Sequence, residues 1–360
     1  MSISTRSILA LALSAPFLCG QAAEARKLTP TERIAVVDSL AKVLADRYVF
    51  PDVAARIGPA LRARAEKGAY DGQDSPTAFA DAITRDLREF GKDGHFRIRH
   101  DPDFKPRPDD DRPPTPEEVS KLRIQAGRRA FGIAKVEQLA GNIGYLDIRG
   151  FGPTEVVGAA FSAAVSLVAG SEALILDLRQ NGGGDPESVA YLASHFFAEG
   201  DSRLINSIYS RVRNSTRQFW TSPTVAPRYG RPVYVLTSAR TFSGGEEFAY
   251  DLQTQKRATL VGETTGGGAN PGGPAALAHG FVAFVPTGRA INPITGTNWE
   301  GVGVKPDVAV PAAEALKTAH ASALKAILEK EKDPDYRKRL EGILAKVEKG
   351  ETDPPVYSRR

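Results

Sequence analysis

The chain has 360 residues, with 47 Lys and Arg against 43 Asp and Glu, for a net charge of +4. Hydrophobic residues at 41% and charged residues at 25% are the mix of a globular protein with room for a sizeable core. The basic bias is small and no Lys/Arg cluster is interleaved with aromatics, so nucleic acid is not an expected partner.

The N-terminus reads as a targeting segment: Arg6 supplies a positive start, ILALALSAPFLCG an apolar stretch, and Ala23 or Ala25 the cleavage position. The apolar stretch is too short to span a membrane and contains Pro16, so no stable membrane insertion is expected after cleavage. The expected location is exported, either periplasmic or secreted. Cys19 is the single cysteine and lies in this segment. The mature chain is thus expected to have no disulfide, thiolate metal site or cysteine nucleophile.

Thr29, Pro30 and Glu32 form a helix start, followed by Ile34, Val37, Leu40 and Leu44 at helical spacing. Val53, Ile57 and Leu61 predict a second helix. Ser75 and Pro76 open a third, carrying Phe79, Ile83, Leu87 and Phe90. Residues 101–116 hold six prolines and an Asp run, the composition of a linker. Beyond about 131, short branched-rich strands (IGYLDI, ALILDL, VYVLT, ATLVG, FVAFV) alternate with helical stretches at 155–169, 186–198 and 244–255. This predicts an α/β domain with a buried sheet. Residues 311–349 read as two more helices.

Four places carry chemistry. In LDLRQNGGG a strand runs into three glycines before a helix, so backbone N–H groups can face a cleft; alone, this is also a plain tight turn. In TSARTFSGGEEFAYDL, Ser243 opens a helix after a strand. That position suits a nucleophile with free amides beside it, and equally suits an ordinary N-cap. His95 in GHF ends the helical module, and Glu300 in NWEGVGVKPD precedes a glycine-bounded turn. Each of these two, alone, reads as a structural or exposed side chain.

Together, ILDLRQNGGG, TSARTFSGGEEFAYDLQTQKRATLVGETTGGG and WEGVGVKPD resemble the tail-specific (carboxy-terminal processing) serine peptidases. The helical module ending in DGHF is similar to the N-terminal domain of the branch that includes interphotoreceptor retinoid-binding protein and the tricorn core. The resemblance spans roughly residues 29–310. It implies a crotonase-like (ClpP-like) sheet-and-helix spiral preceded by a small helical bundle. A PDZ domain is not expected, because 101–142 is short and proline-rich. The expected organisation is a signal segment 1–25, a helical domain 26–100, a proline-rich linker 101–130, an α/β peptidase domain 131–310 and a helical tail 311–360.

The resemblance also implies roles. Ser243 is the nucleophile, and the Gly244 amide with Gly183 (Gly182 or Gly184 being alternatives) forms the oxyanion hole. Processing peptidases use a lysine base in the loop after VGE; the matching position here is Gly268, and no lysine lies between Lys256 and Lys305. The tricorn-like branch uses a histidine, which matches His95, and a glutamate, which matches Glu300. Gly94 replaces the serine that precedes the tricorn histidine, which weakens the link from His95 to Glu300. No metal or organic cofactor is expected, and the expected partner is a peptide or protein substrate. Two other readings exist on the same architecture: a binder of apolar ligands, and acyl-thioester chemistry of the crotonase type. The second rests on fold analogy alone.

Overall fold

The computed structural model describes residues 27–106 and 115–351, so the targeting segment lies outside the described residues. Helix α1 (Pro30–Arg47) starts at the predicted capping box, with Thr29 and Glu32 satisfying each other's backbone N–H groups. Helices α2 (Pro51–Glu66) and α3 (Pro76–Gly91) also begin on proline, whose missing N–H costs nothing in a first turn. Their apolar faces, with Leu40, Leu44, Ile57, Leu61, Phe79 and Ile83, meet in one fully buried cluster. Each such side chain removed from water contributes about 1.5–3 kcal/mol.

That cluster does not close on itself. Leu277, Phe281, Ala283 and Val285, distant in sequence, complete it. Strand β1 (Arg97–His100) follows α3 and pairs antiparallel with Phe281–Pro286, so the helical module is stitched into the rest by a ladder as well as by packing.

Helix α4 (Pro116–Gly127) lies where the proline-rich linker was expected, so the linker reading of 101–130 is corrected in its second half. Thr115, Pro116 and Glu118 make a second capping box, a signal that the preceding prolines obscured. Then come β2 (Ile133–Leu139), β3 (Ile143–Ile148), α5 (Thr154–Val168), β4 (Ala173–Asp177) and α6 (Pro186–Ser194). A hairpin of β5 (Leu204–Ser210) and β6 (Ser215–Trp220) follows, then β7 (Val233–Thr237), α7 (Gly244–Thr254) and β8 (Thr259–Gly262). Strands β9 (Gly272–Ala276), β10 (Phe281–Pro286), β11 (Gly288–Ile291) and β12 (Val308–Ala309) precede α8 (Ala312–Leu328) and α9 (Pro334–Glu348).

Six strands form the main mixed sheet in the order β12-β8-β7-β4-β3-β2; only β2 is antiparallel to its neighbour. Its central strands are buried on both faces, which explains their continuous apolar runs. Alternate residues sort cleanly. Leu146, Leu174, Leu176 and Val235 join the cluster under α5, α6 and α7, whereas Tyr145, Ala173, Ile175 and Leu236 face α8 and α9. The FVAFV segment, predicted as part of this sheet, instead forms β10 in a separate three-stranded sheet, β1-β10-β9. A third sheet has the order β11-β5-β6. Among the described residues, no helix is long and apolar enough to cross a membrane.

Candidate active site

Strands β4 and β7 are parallel neighbours, so the loops after them emerge side by side at the carboxyl edge of the sheet. Those loops are NGGG and SARTFSGG. They are bonded to one another: the Phe242 N–H donates to the Asn181 carbonyl at 3.0 Å, and the Thr241 hydroxyl to the Leu178 carbonyl at 2.8 Å. Contact is so close that a Cβ on Gly183 would lie 2.7 Å from both the Ser243 Cβ and the Gly244 nitrogen. Only glycine tolerates this approach, and its φ of +93° requires glycine as well.

Ser243 is the N-cap of α7 and holds φ 51°, ψ −123°, a conformation costly for any residue with a Cβ. The chain turns sharply there from strand to helix, as it does at nucleophile elbows. Glu246 holds the elbow. Its buried carboxylate accepts from the Ser243 N–H at 2.8 Å, the Gly267 N–H at 2.6 Å, the Gly268 N–H at 2.8 Å and the Thr265 hydroxyl at 2.5 Å. Burial pushes the Glu246 carboxyl up, against the pull of these hydrogen bonds. Sequence reading missed Glu246 because GGEE looks like an ordinary acidic first turn.

The Gly183 N–H already donates to Asn181 Oδ1 at 2.8 Å, and the Gly182 N–H points to the Arg149 carbonyl at 3.4 Å. Among the described residues no acceptor lies against the Gly184 N–H. Gly184 is exposed, and its nitrogen lies 3.0 Å from where a Cβ on Gly244 would be. Gly244 opens α7, where first-turn N–H groups have no intrahelical acceptor.

His95 arrives from the helical module. It sits two residues before β1, so the ladder with β10 fixes its backbone. Its ring packs 4.7 Å, centroid to centroid, from Phe242, the residue before Ser243, and 5.9 Å from Phe284. Neither ring nitrogen makes a hydrogen bond, so His95 and Ser243 are neighbours through Phe242 without a bond between their side chains. Catalytic hydrogen bonds are commonly long before substrate arrives. A Cβ on Gly268 would fall 2.2 Å from Phe242 and 2.8 Å from the His95 ring. The place where a lysine at 268 would extend is therefore filled by these two rings.

Asp93 was not singled out from sequence. It is 2% exposed and accepts from the His95 N–H at 2.9 Å, the Asn270 side-chain amide at 2.9 Å and the Tyr48 hydroxyl at 3.3 Å. Its Oδ1 lies 3.7 Å from His95 Nδ1. Burial and the adjacent Asp93 push the Tyr48 hydroxyl up, so it stays a donor. The DGH spacing was the available signal. Glu300 accepts from the Ala269 N–H at 2.5 Å, and its other oxygen is buried without a partner. Asp93, His95 and Glu300 each bring one ligand-type atom within 4.8 Å of the others, a spacing that a charge-orienting cluster and a cation site share.

Burial, then the Asp93 carboxylate, pushes Glu300 from 4.5 up to about 8. The folded protein thus keeps a proton that the unfolded chain releases above 4.5. The stabilising contribution of that proton is full below 4.5 and is lost as pH rises through about 8. Glu300→Gln keeps the neutral shape at every pH. Its melting temperature, measured from mildly acidic to alkaline pH, is expected to fall less steeply than the wild type's, with the largest gain above pH 8. Parallel curves would show that Glu300 is already ionised in the fold.

Residues 142–310 match the family model described as Peptidase family S41, and residues 27–126 match the one described as the N-terminal domain of peptidase S41 in eukaryotic IRBP. The carboxyl-terminal-processing peptidase 1, chloroplastic, of Arabidopsis thaliana is 27% identical over 194 residues, 52% of this chain and 39% of its own length. The chain thus spans about two fifths of that relative. Solved structures that share the fold include a lipoprotein from Streptococcus agalactiae (TM-score 0.53, 14% identity, 89% of this chain and 100% of that one) and the tricorn protease (TM-score 0.50, 15% identity, 89% and 37%).

Proposed function

Since the chain belongs to peptidase family S41, we propose that it is an exported serine peptidase whose nucleophile is Ser243 and whose base is His95. The observation that carries this reading is the strained elbow at Ser243, abutting a glycine turn on one side and, through Phe242, a buried imidazole on the other.

In this mechanism Ser243 Oγ attacks the scissile carbonyl and His95 takes its proton, a task suited to imidazole near neutral pH. The Gly184 and Gly244 amides receive the oxyanion, each worth about 3 kcal/mol in the transition state. Gly184 replaces Gly183 in this role because the Gly183 amide is committed to Asn181. Gly183 instead lets the two turns touch. The imidazolium forms beside Asp93, which holds the His95 backbone and faces Nδ1; Glu300 closes the far side of the cluster. His95 then protonates the leaving amine, and water resolves the acyl-enzyme. Export through removal of residues 1–25 is part of the same proposal.

The test is stoichiometric labelling by a serine-directed fluorophosphonate, located by mass spectrometry, with a peptide-library digest alongside. Label on Ser243, lost in Ser243→Ala, is the expected result, and activity is expected to survive EDTA. An unlabelled Ser243 in a folded protein with no cleavage would favour the apolar-ligand binder. Cleavage abolished by EDTA and restored by a divalent cation would turn Asp93, His95 and Glu300 into a metal site.

A further inference from the structure

Asp93, His95 and Glu300 meet with donor atoms still unused. The His95 side chain is 9% exposed, yet neither of its ring nitrogens makes a hydrogen bond, and Glu300 Oε1 is likewise buried without a partner. Asp93 Oδ1 accepts the His95 N–H, which leaves it a second lone pair. Among the described residues neither carboxyl group pairs with a Lys or Arg. Buried polar atoms nearly always have partners, and buried carboxylates are paired or hold a cation.

The other oxygens of the cluster are fixed from outside. Asp93 Oδ2 accepts from the Asn270 amide and the Tyr48 hydroxyl, and Glu300 Oε2 from the Ala269 N–H. Backing of this kind orients the ligands of a metal ion. The spacing fits a small tetrahedral ion, whose bonds of about 2.0–2.2 Å put neighbouring donors about 3.3–3.6 Å apart. Asp93 Oδ1 and His95 Nδ1 are 3.7 Å apart, and the three ligand atoms lie within 4.8 Å of one another, so about 1 Å of closure by Glu300 completes the set. Glu300 precedes Gly301 and Val302, both exposed, which puts one side of the cluster beside solvent. One imidazole with two carboxylates suits zinc and its transition-metal neighbours, whereas Mg²⁺ and Ca²⁺ prefer oxygen alone.

We propose that Asp93, His95 and Glu300 form an inhibitory site for a zinc-class divalent ion, which switches the peptidase off by occupying its base. The ion binds neutral imidazole through the Nδ1 lone pair. The ring proton then sits on Nε2, the nitrogen that has to accept from Ser243, so the hydroxyl is left without its base. A fourth position on the ion stays open to water. Removing the ion returns the proton to Nδ1, where Asp93 faces it. The effect on activity rests on the peptidase reading; the binding of the ion does not.

Zinc binding is measured by calorimetry on the full chain in metal-free buffer, with Co²⁺ absorption in the visible as a second reading of the ligand set. Fluorophosphonate labelling at Ser243 is followed with and without zinc. One ion per chain is expected, with the Co²⁺ bands displaced by Zn²⁺ and not by Mg²⁺. Glu300→Gln and His95→Ala are each expected to weaken binding at least about tenfold, their folding checked by melting without metal. His279→Ala removes the other ring that faces a carboxylate, Glu32 at 3.7 Å, and is expected to leave the affinity unchanged. Zinc is expected to slow wild-type labelling about 10²-fold, the scale of a lost general base, with EDTA restoring the rate. Glu300→Gln is expected to need about tenfold more zinc for the same fractional loss of its own rate. A wild type that binds no zinc at micromolar concentration, or variants that bind it as tightly as the wild type, would overturn the site. Bound zinc with labelling unchanged, or labelling that EDTA abolishes, would overturn the switch. Protein that labels at Ser243 yet binds no zinc loses this site only. Protein that binds zinc through His95 and Glu300 yet never labels loses the peptidase reading only.

Discussion

Ser243→Ala is expected to lower kcat/KM on a cleaved peptide by about 10⁴–10⁶ while leaving the fold intact, because a nucleophile removed from a coupled set takes nearly all of the set's contribution with it. What survives is the oxyanion hole and substrate binding, so a small residual rate above background is part of the expectation. A second substitution separates chemistry from strain. Ser243 holds φ 51°, ψ −123°, and Ala at 243 inherits that strain in full. Glycine accepts such a conformation freely, and relief of this kind is worth about 1–3 kcal/mol, reduced by glycine's larger entropy in the unfolded chain. Ser243→Gly should therefore be equally inactive but melt above Ser243→Ala. Calorimetry on the three proteins, with steady-state kinetics, checks both statements. Activity within tenfold of wild type in either variant would remove Ser243 from the mechanism.

The second large effect belongs to the imidazole and its neighbour. His95→Ala is expected to cost about 10³–10⁵ in kcat/KM, because the proposed general base is lost. Phe242 and Phe284 flank the ring, so the substitution also leaves a cavity and some loss of stability. Asp93→Asn is the sharper probe. It keeps the shape of the side chain but loses the charge facing Nδ1, and it sets an amide against the Asn270 amide. A loss of about 10²–10⁴, mostly in kcat, is expected with little change in KM. The pH–rate profile of the variant is also expected to differ from the wild type's. A merely structural Asp93 would lower stability without moving the profile. Full activity in Asp93→Asn together with loss in Glu300→Gln would transfer the orienting role to Glu300.

Deleting the helical module is a poorer experiment than either substitution. Phe281, Ala283 and Val285 are buried against that module, and β10 pairs with β1. Removing residues 26–100 would expose this surface, and lost activity would then report unfolding as much as the missing histidine. The long-range pairing of Arg97 with Phe284 and Ile98 with Ala283 ties the helical module to the α/β part of the chain.

Sequence alone carried whatever depends on near neighbours. Capping residues at Thr29 and Ser75, prolines in first turns, apolar spacing along α1 to α3 and unbroken branched runs in β3, β4 and β7 each act over a few residues, so each is readable in one dimension. The glycine turn and the serine before Gly244 were legible for the same reason: a close approach or a helix start leaves a local mark. Tertiary structure decided what no local mark could convey. The roles of Asp93, Glu246 and Asn270 depend on partners brought from other elements, and a buried carboxylate in DGH or GGEE is spelled like an exposed one. The same holds at Gly268, where the lack of a side chain matters only because Phe242 and His95 occupy the space it leaves. Burial and hydrogen-bond pairing are properties of distance, and distance between remote residues is set when the sheet closes against the helical module.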